Sequence, residues 1–235
     1  MNNDKIKFID EMEGLFCRSK KLGREIFLKY VQAYWYKNSQ TDWYDHRMHI
    51  VYFDHLRNKS SWIESIANVT QVFPMGGKLL DMCSGDAWFS YNFICPKASK
   101  IVCIENGEDV MRHATKLHKD KKIEFRKESI LDAVVERNCY DVVWIRGAIE
   151  HFSLEDQNKI AQIAYAALKP NGYYCGDTPA KDGVALGIHE FEWSTVKDAE
   201  DQMKMFKNNE IYEITDVRPE DCVAPRKTIF WRCQK

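Results

Sequence analysis

The stretch Lys78-Leu79-Leu80-Asp81-Met82-Cys83-Ser84-Gly85-Asp86-Ala87-Trp88-Phe89 constrains the fold more than any other part of the chain. A short apolar run ends in an acidic residue, and a turn of small residues then opens a helix. A doubly wound α/β fold builds its first ligand-binding loop in this order: buried parallel strand, tight turn, and helix N-terminus facing the crevice beyond the strand ends. A second apolar run, Lys100 to Ile104, ends in Glu105, 24 positions after Asp81. An acid at the tip of the second strand is placed to bond ribose hydroxyls. The pair points to a nucleoside-containing ligand.

The chemistry of the first turn narrows the choice. A dinucleotide site needs G-x-G-x-x-G, because bare backbone must approach a pyrophosphate. Here Cys83-Ser84-Gly85-Asp86-Ala87 has one glycine and a second carboxylate. Asp81 and Asp86 would repel a pyrophosphate and suit a ligand that is cationic at this end, such as the amino group and sulfonium of S-adenosylmethionine (SAM). The turn resembles the first motif of the class I SAM-dependent methyltransferases, E/D-x-G-x-G-x-G, with Cys83 and Ala87 in place of two glycines.

Lysine plus arginine (34) nearly balance aspartate plus glutamate (35) across 235 residues, which argues against a large nucleic-acid footprint. A chain of this length fits one domain with an appendage and buries roughly 70% of its unfolded surface. The eight cysteines include no C-x-x-C pair, and several stand in or beside apolar runs, so they read as reduced, buried thiols. Met1 to Asp10 is polar and of mixed charge, unlike a signal peptide, and no apolar stretch approaches the ~20 residues of a membrane span. The expectation is a soluble, cytoplasmic protein.

Residues 1–75 read as a helical cap, with helices over 23–37, 49–57 and 61–72, the last opening on serines and ending before Pro74. From Lys78, strands are expected at 78–82, 100–105, 122–126, 140–145, 172–177, 210–217 and 227–233. Helices are expected at 87–95, 108–118, 155–168 and 194–206. The run Leu168-Lys169-Pro170-Asn171-Gly172 reads as a helix stop and a turn into the next strand. Residues 76–235 would then form an α/β, Rossmann-like domain with a seven-stranded class I methyltransferase sheet, its last strand antiparallel as the resemblance implies.

The fourth strand, Tyr140 to Ile145, runs straight into Arg146-Gly147-Ala148-Ile149-Glu150-His151-Phe152, at a strand end where open sheets bind ligands. The phrase is similar to the D-x-V-x-x-x-x-x-x-E-H motif of the same methyltransferases, and Leu168 to Gly172 to their L-K-P-G-G turn. Trp43-Tyr44-Asp45-His46-Arg47 and Ile188-His189-Glu190-Phe191-Glu192-Trp193 extend the likeness to a bacterial small-molecule methyltransferase subgroup. The resemblance implies that Asp81, Cys83, Gly85, Asp86 and Arg146 surround the cofactor. It places Glu105 and Asn106 on the ribose, and Ser129 and Ile130 beside the adenine.

Glu150 and His151 admit three readings. They can be structural, Glu150 pairing locally while His151 packs at the strand end. His151 can be a general base, since an ordinary imidazole titrates near neutrality. Or Glu150, His151 and His189 can hold a divalent metal, as in the small-RNA terminal 2′-O-methyltransferases, whose E-x-x-E-H segment precedes a later histidine before F-E-W. Here Gly147 stands where the first glutamate of that segment would be. Tyr44, His46, Arg47 and His189 are candidates for acceptor contact, and His46 and His49 can share a helical face.

The expected activity is methyl transfer from SAM to a small-molecule acceptor, at a hydroxyl oxygen of a sugar or nucleotide-linked intermediate, with His151 as base. The competing readings are a metal-assisted RNA 2′-O-methyltransferase and a non-catalytic SAM-binding partner protein. No membrane and no nucleic-acid partner is expected.

Overall fold

A computed structural model of the protein describes residues 60–181, 191–216 and 226–235, with a few helical positions between residues 11 and 22. The chain divides into two compact units, Met1–Arg57 and Asn58–Lys235. The expected cap helices at 23–37 and 49–57 lie outside the described residues, as do Tyr44, His46, Arg47 and His189.

The second unit is built on one seven-stranded sheet in the order β3-β2-β1-β4-β5-β7-β6. Its strands are β1 (Lys78–Met82), β2 (Lys100–Glu105), β3 (Ile123–Lys127), β4 (Tyr140–Arg146), β5 (Leu168–Pro179), β6 (Lys207–Asp216) and β7 (Arg226–Gln234). The first five are parallel, and β7 runs antiparallel between β5 and β6. Continuous apolar runs such as Val142 to Ile145 become central strands because both faces of a parallel sheet are covered.

Helices α1 (Ser60–Thr70), α2 (Glu108–Leu117), α3 (Leu154–Ala167) and α4 (Val196–Gln202) accompany the strands. Helix α1, expected as the end of the cap, belongs to the sheet-bearing unit. It buries Trp62, Ser65, Asn68 and Val69, and the Asn68 carboxamide donates to the Trp231 carbonyl at 2.9 Å. Three further elements depart from expectation. The helix after β1 is mainly a π-helical turn, Ser90–Ile94. The Leu168 to Gly172 turn is absorbed into the start of β5, through a register shift opposite Tyr140 and Val142. Finally, β6 begins at Lys207, earlier than its apolar residues suggest.

The central packing rests on one close approach. Gly176 in β5 lies opposite Trp231 in β7, and a Cβ there would come within 2.0 Å of the indole. Only glycine leaves room for the fully buried Trp231, which packs with Trp193 and Tyr174.

Candidate active site

The parallel strands end together, so the segments after β1, β2, β3 and β4 meet at one edge of the sheet, as the topology requires. The turn after β1 keeps the backbone of the glycine-rich motif although two of its glycines are gone. Cys83, Gly85 and Ala87 have φ of 58°, 56° and 57°. A left-handed conformation costs a non-glycine residue roughly 1–2 kcal/mol. Two side chains accept that cost here, and the shape of the turn survives their presence.

Glu105 ties this turn to the second strand. One carboxylate oxygen accepts from the Gly85 amide at 3.0 Å and the other from the Gly107 amide at 2.8 Å. The residue expected on the ribose therefore also fixes the loop beside it. Asp81 is 5% exposed and accepts a hydrogen bond from the Ser90 hydroxyl. Its carboxyl is pushed up to about 7, first by burial, then by the charges of Glu105 and Asp86, against the lowering effects of Ser90 and Arg146. The Cys83 thiol is pushed well above its usual range by burial and by the carboxylates of Glu105, Asp81 and Glu150. Three acids from β1, β2 and the segment after β4 thus act on one point. A gathering of carboxylates of this kind favours a cationic ligand.

Asp86 and Ile130 are both buried. The Asp86 carboxylate accepts from the Trp88 amide at 3.0 Å, and its carbonyl meets the ring of buried His118. Ile130 joins the core with Met82 and Ile104. Ser129 is half-buried and caps its own turn, accepting from the Leu131 amide, while Asn106 is exposed. Arg146, expected on the cofactor, is turned toward α1. Its guanidinium lies over Phe89 and Trp62, 4.1 and 4.8 Å from the ring centres, and its Nε donates to Ser65 Oγ at 3.2 Å. Asp177 accepts from the same Ser65 and lies 3.9 Å from Arg146.

After β4, Gly147 has φ of +51°. A glutamate would be strained there, which gives a backbone reason why the E-x-x-E-H pattern is broken at this place. The 3₁₀ turn Ile149–His151 then sets its two functional candidates apart. Glu150 is 2% exposed and accepts from the Thr178 hydroxyl at 2.9 Å, whereas His151 is exposed to solvent. No three His, Cys, Asp or Glu side chains converge as a metal site among the described residues, which do not include His189.

Several residues that support the candidate site carry no motif signature. Ser90, Thr178, Gln157 and His118 support Asp81, Glu150, the His151 turn and the Asp86 carbonyl, yet lie 9, 28, 6 and 32 positions from them. Ser90 had one legible cue, its place on the inner face of the helix that follows the turn.

An open sheet of this order, with a left-handed turn after β1 and an acid at the tip of β2, is the fold of the class I SAM-dependent methyltransferases. Residues 79–172, about two fifths of the chain, match the family described as a methyltransferase domain. The curated phosphoethanolamine N-methyltransferase of Plasmodium falciparum is 42% identical over 53 residues, 23% of this chain, and the match spans a fifth of that enzyme's length. Among solved structures, a SAM-dependent methyltransferase of Mesorhizobium loti superposes with a TM-score of 0.57 at 14% identity, covering 75% of this chain and 98% of its own. A Haemonchus contortus phosphoethanolamine N-methyltransferase, in complex with phosphomonomethylethanolamine and S-adenosylhomocysteine, superposes with a TM-score of 0.61 at 14% identity. That match covers 74% of this chain and 52% of the Haemonchus chain. No helix among the described residues is long and apolar enough to cross a membrane.

Proposed function

We propose that the protein transfers the methyl group of SAM to a small-molecule acceptor at a hydroxyl oxygen, with His151 as the general base. The observation that carries this reading is the convergence of Asp81, Glu105 and Glu150 around a left-handed turn, with exposed His151 on the adjoining segment. The residues fit the cofactor: the turn has the backbone of the motif, and the acids match the positive charges of the methionine end.

SAM supplies a methyl carbon already activated by its sulfonium. The chain's own residues would bind, orient and take up a proton. Asp81 and the Cys83–Gly85 turn would hold the methionine end. Glu105, beside Asn106, would accept from the ribose hydroxyls while keeping its hold on Gly85, and Ser129 would line the adenine side. Glu150, held by Thr178, would keep the acceptor side negative, and His151 would take the proton from the acceptor hydroxyl. Orientation of two bound reactants alone can supply about 7–11 kcal/mol.

A second reading places the methyl group on an amine nitrogen. The sequence match to a phosphoethanolamine N-methyltransferase and the buried carboxylate of Glu150, suited to an ammonium group, support it.

Calorimetric titration with S-adenosylhomocysteine followed by an acceptor screen with labelled SAM tests the proposal. His151→Ala should lower turnover ~10²–10⁴-fold with cofactor affinity nearly intact, and chelators should have little effect. Full turnover in that variant removes the base. Dependence on added Mg²⁺ or Mn²⁺ favours the metal reading, and transfer to RNA alone overturns the small-molecule acceptor. Cofactor binding without transfer to any acceptor supports the partner-protein reading.

A further inference from the structure

The turn that bears Glu150 and His151 is held by a residue outside every motif. Gln157, the fourth residue of α3, is 1% exposed. Its Nε2 donates to the carbonyls of Ile149 at 3.2 Å and Phe152 at 3.0 Å, which bracket Glu150 and His151. The same nitrogen donates to the Phe191 carbonyl at 3.0 Å, and its Oε1 accepts from the Trp193 indole at 2.8 Å. The Phe191 amide in turn donates to the Glu150 carbonyl at 3.2 Å. A carboxamide has two N–H donors, so three carbonyls share them, and none of the partners belongs to α3 itself. Helix α3 needs no such residue, because Ser153 already caps it through the Asp156 amide. The carboxamide is spent wholly on joining two segments 39 or more residues apart.

We propose that Gln157 is a positioning residue, whose buried carboxamide locks the Ile149–Phe152 turn to the Phe191–Trp193 segment and thereby fixes the reach of His151 toward the acceptor. The last step rests on the reading of His151 as base. The lock itself does not.

The test uses the full-length protein and the variants Gln157→Leu, Gln157→Glu and Trp193→Phe. Each is followed by calorimetry with S-adenosylhomocysteine, by turnover on the acceptor found in the screen, and by NMR titration of the His151 ring. Leucine removes the donor from three carbonyls, of which that of Ile149 still accepts from the Phe152 amide at 3.1 Å, and the acceptor from the Trp193 indole N–H. Turnover should fall about 10²-fold, the scale on which a misplacement near 1 Å acts. Cofactor affinity should hold, and the His151 resonances should move while those of His113 and His118 stay in place. Glutamate keeps an acceptor for Trp193 and, when protonated, one donor. Its deficit should therefore be small at low pH and grow as the carboxylate forms against the three carbonyls. Trp193→Phe should act in the same direction, more weakly.

Unchanged His151 resonances in Gln157→Leu overturn the lock, and so does a loss of cofactor affinity in step with turnover. Should Gln157→Leu fail to fold, the pH-dependent deficit of Gln157→Glu decides, and its absence overturns the proposal. If the wild-type protein transfers no methyl group, the functional reading fails while the NMR result still judges the lock.

Discussion

Replacing Asp81 by asparagine isolates the electrostatic strain at the cofactor turn. The folded protein raises this carboxyl from its ordinary 3.8 to about 7. A raised acid makes stability greatest at low pH and lost as pH climbs through the folded value, because the unfolded chain ionises first. At about 1.4 kcal/mol per unit, ionisation at pH 8 has withdrawn about 4 kcal/mol. At pH 5, roughly one unit above the ordinary value, it has withdrawn only about a third of that. The group therefore makes the wild-type protein about 3 kcal/mol less stable at pH 8 than at pH 5. Asparagine keeps the shape and the bond from Ser90 but cannot ionise. Its own cost in packing and hydrogen bonding is the same at both pH values and cancels from the comparison. Urea denaturation of both proteins at pH 5 and pH 8 gives four free energies. The variant's stability relative to wild type should rise by about 3 kcal/mol between the two. The same variant should bind SAM more weakly, since the charge that strains the turn is the one that would meet the cation. An equal difference at pH 5 and pH 8 would refute the assignment of the strain to Asp81, and with it the electrostatic account of the turn.

Two further outcomes follow from single contacts. Glu105→Ala removes the acceptor of the Gly85 and Gly107 amides together with the candidate ribose contact, so SAM affinity should fall by at least ~1–3 kcal/mol by calorimetry. Gly176→Ala drives a methyl group into the Trp231 indole, at a cost of roughly 3 kcal/mol and a Tm lower by about 6–12 °C. Melting within two or three degrees of wild type, about 1 kcal/mol, would contradict the packing described.

The order of elements was readable from Lys78 onward because a parallel sheet covered on both faces demands uninterrupted apolar runs, and such runs are local. Asp81, Glu105 and the 146–152 segment were legible for the same reason: each closes a strand, and strand ends are where this topology gathers ligand-binding groups. Sequence alone also carried the turn chemistry that favours a cation over a pyrophosphate. Tertiary structure decided what the local pattern leaves open. Arg146 alternates with Ile145 along β4, and only the packing of α1 and the π-helical turn turns its guanidinium onto Trp62 and Phe89. Asp86 stands in the motif, yet its backbone carbonyl meets the ring of His118, 32 residues away. Ser90, Thr178 and Gln157 are ordinary polar residues in sequence. They become the supports of Asp81, Glu150 and the His151 turn because a buried polar group must find its partner in three dimensions, wherever the chain happens to bring one.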